Sequence, residues 1–219
     1  MNIIEGLLLK DLLQLKSYVR TMFFYIVIFL VTSFSYASED EGINPTLLIL
    51  ITLVFGMFAI VSFSYDSTSK ADRYVLTLPT TKKEVVASKY WLTILATFVG
   101  TLIGIVINLI VSCTLNIVIP NLYELITIAL SGTFGIALVH SIQLPCIYKF
   151  VIEKVRIVST LIAMIIASFI ANVLIFNINE NVISGTLEKL LPFIFLGLIS
   201  IFYYVSYKIS CLIYERKEV

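Results

Sequence analysis

Few residues in this chain could carry covalent or redox chemistry, and their spacing argues against it. There is a single histidine, His140, and no Cys-x-x-Cys or His-Glu-x-x-His spacing that would gather metal ligands. None of the nine glycines is followed by lysine, so the Gly-x-x-x-x-Gly-Lys-[Ser/Thr] loop that cradles nucleotide phosphates is missing. The chain is therefore expected to be no enzyme, to bind no metal or cofactor of its own and to leave ATP hydrolysis to another protein. What remains are neutral polar residues inside long apolar runs: Asn108, His140, Gln143 and Asn172. Each can hydrogen-bond across a helix interface, at about 1 kcal/mol per bond, or can line a pathway. His140 and Gln143 are three residues apart and share a helix face, and Pro145 just beyond them is placed to bend that helix and free a carbonyl. This pair is the leading candidate for a pathway lining.

The elements that hold these residues must lie in lipid. Of 219 residues, 59% are hydrophobic and 13% are charged, against about 25% charged in an ordinary soluble domain. Mean hydropathy is +1.03. So few charges cannot cover so much apolar surface in water. The formal net charge of +1 gives no reason to expect nucleic acid as a partner. Read from charge to charge, six long uncharged segments follow: Thr21 to Ser38, Gly42 to Tyr65, Tyr90 to Tyr123, Leu125 to Tyr148, Ile157 to Asn179 and Leu190 to Tyr207. About 20 residues cross a bilayer as a helix, so each can cross once, and the third must leave the membrane before Pro120. Runs without two-residue alternation exclude a β-barrel. The expected fold is all-α and polytopic, one transmembrane domain over residues 1–219 with six helices. The spans so bounded contain no Asp, Glu, Lys or Arg, which argues against a proton-coupled pump or a voltage sensor.

Lys and Arg are distributed one-sidedly. With the amino terminus inside, 14 of the 15 basic residues fall on cytoplasmic segments and only Lys189 falls outside. Both termini are thus expected in the cytoplasm of a cell whose inner membrane holds the chain. Ser35-Tyr36-Ala37 resembles a signal-peptidase site, but the preceding apolar stretch is long for a signal peptide, and cleavage would worsen the charge balance. Cys146 and Cys211 fall on the cytoplasmic side, where thiols stay reduced, so no disulfide is expected.

Two segments outside the lipid have a pattern of their own. Residues 2–19 place Ile4, Leu8, Leu12, Leu15 and Val19 at steps of three and four, which predicts an amphipathic helix lying on the inner leaflet with its lysines toward the phosphates. Residues 66–84 form the longest polar stretch. A short helix capped by Ser67 or Ser69 would carry Lys70, Asp72 and Arg73 beside Tyr74, Val75, Leu76 and Leu78, and end at Pro79. Thr81-Lys82-Lys83-Glu84 reads as a capping box that opens a helix running through Lys89-Tyr90-Trp91 into the bilayer.

The segment from Asp66 through Arg73-Tyr74-Val75-Leu76 and Leu78-Pro79-Thr80-Thr81-Lys82 to Lys89 resembles the cytoplasmic loop of ABC-2 type transporter permeases. The layout of the whole chain is similar to theirs, most of all to permeases of small-peptide exporters of the phenol-soluble modulin and lantibiotic or bacitracin type. The resemblance implies that the loop carries a coupling helix that docks on a separate ATPase, with Asp66, Lys70, Asp72, Arg73 and Tyr74 as coupling residues. It implies two cytoplasmic ATPase subunits, which use ATP and Mg, and a second permease, identical or not. It also implies that the first and fifth spans face that second permease, which makes the small-residue ridge Ala163, Ala167 and Ala171 a candidate seam. The Gly100-x-x-x-Gly104 motif allows close helix approach, within this chain or between two. Residues 177–192 are expected to include a re-entrant outer segment, with Pro192 early in the last helix. The expected function is an exporter permease for an amphipathic or hydrophobic cargo such as a small peptide. The alternatives are a self-sufficient channel or secondary carrier, and a non-transporting membrane anchor of a signalling complex.

Overall fold

The computed structural model describes residues 3–36, 45–69, 80–115, 122–150 and 185–216, and within these ranges every regular element is helical. Helix α1 (Ile3–Leu15) passes through a 3-10 turn (Lys16–Tyr18) into α2 (Val19–Tyr36). Then come α3 (Pro45–Gly56), α4 (Phe58–Thr68), α5 (Lys82–Leu115), α6 (Leu122–Lys149) and α7 (Gly185–Arg216). Four stretches are long and apolar enough to cross a membrane: Leu50–Thr68, Lys82–Thr114, Ile128–Lys149 and Leu196–Arg216. They coincide with the second, third, fourth and sixth expected spans. The first expected span falls on the 18-residue α2, which is not one of these four and whose Phe23, Phe24, Val27, Ile28 and Val31 are exposed. The fifth lies outside the described residues.

Residues 1–133 form one compact unit. The capping box opens α5 as the sequence predicts. The Thr81 amide donates to Glu84 Oε2 at 2.7 Å, the Thr81 hydroxyl to the same oxygen at 2.9 Å, and the Glu84 amide to Thr81 Oγ1 at 3.3 Å. From there the helix runs unbroken for 34 residues, about 50 Å at 1.5 Å per residue. Its two faces are inverted relative to a soluble helix. Val86, Lys89, Thr93, Gly100, Thr101, Gly104, Asn108 and Ser112 are turned inward, while Trp91, Leu95, Phe98, Leu102, Val106 and Ile110 are exposed. Small and polar residues inside, large apolar ones outside, is the arrangement that lipid favours.

The inward face of α5 packs on α3. A Cβ added at Gly100 would lie 2.5 Å from Phe55 Cβ and 3.3 Å from Thr52 Cα, and one at Gly104 would lie 3.4 Å from the Leu48 carbonyl oxygen. The glycine motif therefore serves approach within one chain. Leu48, Thr52 and Phe55 are spaced by four and three, which presents them on one face of α3. Between α3 and α4 the helical ladder continues through Met57, whose amide donates to the Leu53 carbonyl at 3.0 Å and whose carbonyl accepts from Val61 at 3.2 Å. The two helices thus make one span, as the sequence predicts.

Residues 134–218 form the second unit. Here α7 turns Tyr203, Ser206, Ser210 and Tyr214 inward. Pro145 interrupts the ladder of α6, because proline has no N–H to give to the carbonyl four residues earlier, that of Ser141. Ser206 Oγ donates to that carbonyl at 2.7 Å. The carbonyl that the sequence predicts to be freed is satisfied by the neighbouring helix. Ser206→Ala would leave it buried without this donor, and a loss of about 1–3 kcal/mol in unfolding free energy is expected, readable as a lowered Tm in detergent. Tyr148 and Tyr214 meet edge to face with ring centroids 5.3 Å apart. Helix α7 already begins at Gly185, so residues 185–192 are its amino-terminal turns, with Pro192 inside the helix. Residues 177–184 lie outside the described residues.

Candidate functional site

Four charged residues of the first unit are gathered into one buried cluster. Helix α1 brings Lys10, Asp11 and Gln14, the last turns of α4 bring Ser62 and Asp66, and α5 brings Lys89. The Lys89 ammonium donates to Asp11 Oδ1 at 2.9 Å, to Ser62 Oγ at 2.7 Å and to Asp66 Oδ2 at 2.5 Å. That uses all three of its donors. The other carboxylate oxygen of Asp66 accepts from Lys10 Nζ at 2.8 Å and from Gln14 Nε2 at 3.3 Å. Lys10 also approaches Asp11 at 3.4 Å. Asp11 is 1% exposed, Ser62 is fully buried, and Asp66 and Lys89 are each 4% exposed.

Two carboxylates and two ammonium groups make the cluster formally neutral. An isolated buried charge would be costly, whereas a hydrogen-bonded and neutral set is tolerated. Lys10 lies at its outer edge, with a third of its side chain exposed. Burial works against the Lys10 ammonium, but the hydrogen bond it donates to Asp66 and the charges of Asp11 and Asp66 outweigh it and hold its pKa above the ordinary lysine value. Beneath the cluster, Leu92 is buried among Leu8, Tyr18, Val54, Phe55, Val61 and Ala96, so the same three helices and α3 also share apolar packing. The rings of Tyr18 and Tyr65 meet edge to face at 5.6 Å beside it.

Two expectations change here. Lys10 was expected to face lipid phosphates, and it turns inward to Asp66, while Leu9, Leu12 and Leu13 form the exposed side of α1. The carboxylates opposite outcompete a solvated position for Lys10 because they are already buried and in need of cations. Charge also enters the helical ends: Asp66 lies in the last turn of α4, and Lys89 lies two turns into α5. Counting spans from charge to charge ends each span at such a residue by construction. Asp11 and Ser62 were missed altogether. The signal was available, because Leu7, Asp11, Gln14 and Tyr18 are spaced by four, three and four and so share a face of α1.

Of the predicted coupling residues, Asp66 is buried in this cluster, while Lys70, Asp72, Arg73 and Tyr74 lie outside the described residues. His140 and Gln143 are buried in the second unit, 2% and 1% exposed. Asn108 is buried on the inner face of α5, where its Nδ2 donates to the Gly104 carbonyl of its own helix at 3.1 Å. Asn172 and the ridge Ala163, Ala167 and Ala171 lie outside the described residues. The three cysteines are free thiols, and no group of three or more His, Cys, Asp or Glu side chains that could hold a metal ion occurs among the described residues.

In the cluster, the carboxylates of Asp11 and Asp66 and the Lys89 ammonium are buried and engaged with one another. What it can do is mechanical: it ties the amino-terminal helix to the two helices that flank the 70–79 segment. No curated protein and no solved structure matches the chain. A family model described as ABC-2 family transporter protein matches residues 6–215. That match runs from the first turns of α1 to the last turn of α7, over the same apolar helices and the same buried cluster, and the chain belongs to the ABC-2 family of transporter proteins, the multi-pass membrane components of ABC transporters.

Proposed function

We propose that this permease subunit exports an amphipathic or hydrophobic cargo, with small peptides as the first class to test, across the cytoplasmic membrane. Two separate cytoplasmic ATPases supply the energy. The observation that carries the reading is the pairing of Asp66 with Lys89 at the two stems of the 70–79 loop. A segment held at both stems by a buried ion pair moves its stems when it is pushed. Lys70, Asp72, Arg73 and Tyr74 form the docking surface in this reading, and Asp66 anchors that surface to the membrane helices. Fourteen of fifteen basic residues fall on the loop's side of the membrane, which supports a cytoplasmic position for it. A second permease completes the pathway, with Ala163, Ala167 and Ala171 at the seam. The neutral residues His140, Gln143, Asn108 and Asn172 offer cargo hydrogen bonds without fixed charge, which suits an apolar or peptide-like molecule.

The test is co-purification followed by activity. A tagged chain extracted in detergent is expected to bring down an ATPase that lacks membrane spans. In proteoliposomes, Asp72→Ala with Arg73→Ala is expected to cut peptide export at least tenfold while ATP hydrolysis continues. Export that persists at the wild-type rate in this variant would remove the loop from the mechanism.

A further inference from the structure

We infer that Asp11 is a positioning residue which, through Lys89, rivets α1 to α4 and α5, so that the three helices move as one rigid piece in every transport cycle. The inference rests on the permease reading above and assigns a role to a residue that reading does not use. Three observations carry it. Asp11 is 1% exposed, yet it reaches across to a lysine 78 positions away in the sequence, at 2.9 Å. Lys89 holds Asp11, Ser62 and Asp66 at once, so it cannot release one helix without stranding a buried charge on another. The second contact, Tyr18 on Tyr65, fixes the junction of α1 and α2 to the same end of α4. A latch that opens in each cycle would be built from exposed, weakly held pairs. This cluster is buried, neutral and complete at its centre, which is the character of a rivet. Motion delivered to the 70–79 loop then reaches α2 directly, because α1 continues into it.

A cross-link distinguishes rivet from latch. In a chain with Cys113, Cys146 and Cys211 changed to serine, Tyr18→Cys and Tyr65→Cys are joined by a short reducible bis-methanethiosulfonate reagent. With its ATPase bound, the cross-linked protein is expected to transport within twofold of its uncross-linked form. Asp11→Asn is expected to lower cargo moved per ATP hydrolysed by tenfold or more, and the cross-link is expected to restore most of that loss. Cargo moved per ATP hydrolysed, read on protein that is folded and still hydrolyses ATP, is the readout that a loss of stability alone would not move. Arrest of the cross-linked wild type, reversed by reductant, would overturn the rivet, as would an Asp11→Asn protein that transports normally or is not rescued. Should Asp11→Asn fail to fold, the cross-linked wild type still decides. Should no ATPase associate, the permease reading fails by itself. The rivet is then judged on the isolated chain, where Asp11→Asn is expected to speed amide exchange through α1 at least tenfold and unchanged exchange would overturn it.

Discussion

Lys89→Ala is expected to destabilise the first unit by about 3–5 kcal/mol, enough to lower its Tm sharply or to abolish recovery of folded protein from the membrane. The substitution removes the buried cation that hydrogen-bonds both carboxylates, leaving Asp11 and Asp66 buried with only Lys10, a third of whose side chain is exposed, beside them. The magnitude follows from stranding charge. The worth of the intact cluster is a separate and smaller quantity, and a paired control separates the two. Lys89→Met combined with Asp66→Asn removes one charge of each sign, keeps Lys10 beside Asp11, and is expected to recover most of the lost stability. Lys10→Ala should cost far less, about 1 kcal/mol, because water can take its place at the outer edge. Equal losses for Lys89→Ala and Lys10→Ala would contradict the geometry described here. Thermal unfolding in detergent, followed by intrinsic fluorescence, reads all four proteins.

Gly100→Val is expected to separate α3 from α5, with a loss of about 3 kcal/mol or more. Even a methyl group there meets Phe55 Cβ at 2.5 Å and the Thr52 backbone at 3.3 Å, so Gly100→Ala already costs about 1–3 kcal/mol. Backbone atoms cannot swing aside as the tip of a side chain can. The other glycines calibrate this claim. At Gly104 an added Cβ would meet the Leu48 carbonyl oxygen at 3.4 Å, ordinary contact, and Gly104→Ala is expected to be nearly neutral. At Gly197 nothing lies within 4 Å, and Gly197→Ala should be neutral or slightly stabilising. A ranking of 100 far above 104, and 104 at or above 197, is the expected outcome; a large loss at Gly104 with tolerance at Gly100 would show that α3 and α5 pack differently.

Local chemistry was the legible part of this fold. Thr81 and Glu84 announce a helix start because a capping box needs no tertiary partner, and both bonds form as predicted. Gly100 and Gly104 announce close packing because small residues have few other uses on a membrane helix, although spacing could not say which helix approaches. Pro145 announces a free carbonyl because its ring always removes a donor, but the donor that replaces it, Ser206, is 65 positions away in the sequence from the Ser141 carbonyl and invisible to any local pattern. The ion cluster was hidden for a related reason. Each charge, taken alone, reads as the end of a span, and only the folded chain shows that the later turns of α1, the end of α4 and the first turns of α5 meet at the same place. Lys10 and Asp11, adjacent and of opposite sign, look like a solvated face until Asp66 and Lys89 are set opposite them. The apolar face of α1 was legible in outline, since Leu9, Leu12 and Leu13 are exposed, but its polar side turns to protein where a solvated side was expected.

Docking of an ATPase requires residues 70–79 to lie on the cytoplasmic side of the membrane. Arg73→Cys, placed in a chain whose three native cysteines are changed to serine, can be probed with a membrane-impermeant maleimide. No labelling in intact cells and full labelling after permeabilisation is the predicted result. Equal labelling of intact cells would put residue 73 outside, beyond the reach of any cytoplasmic ATPase.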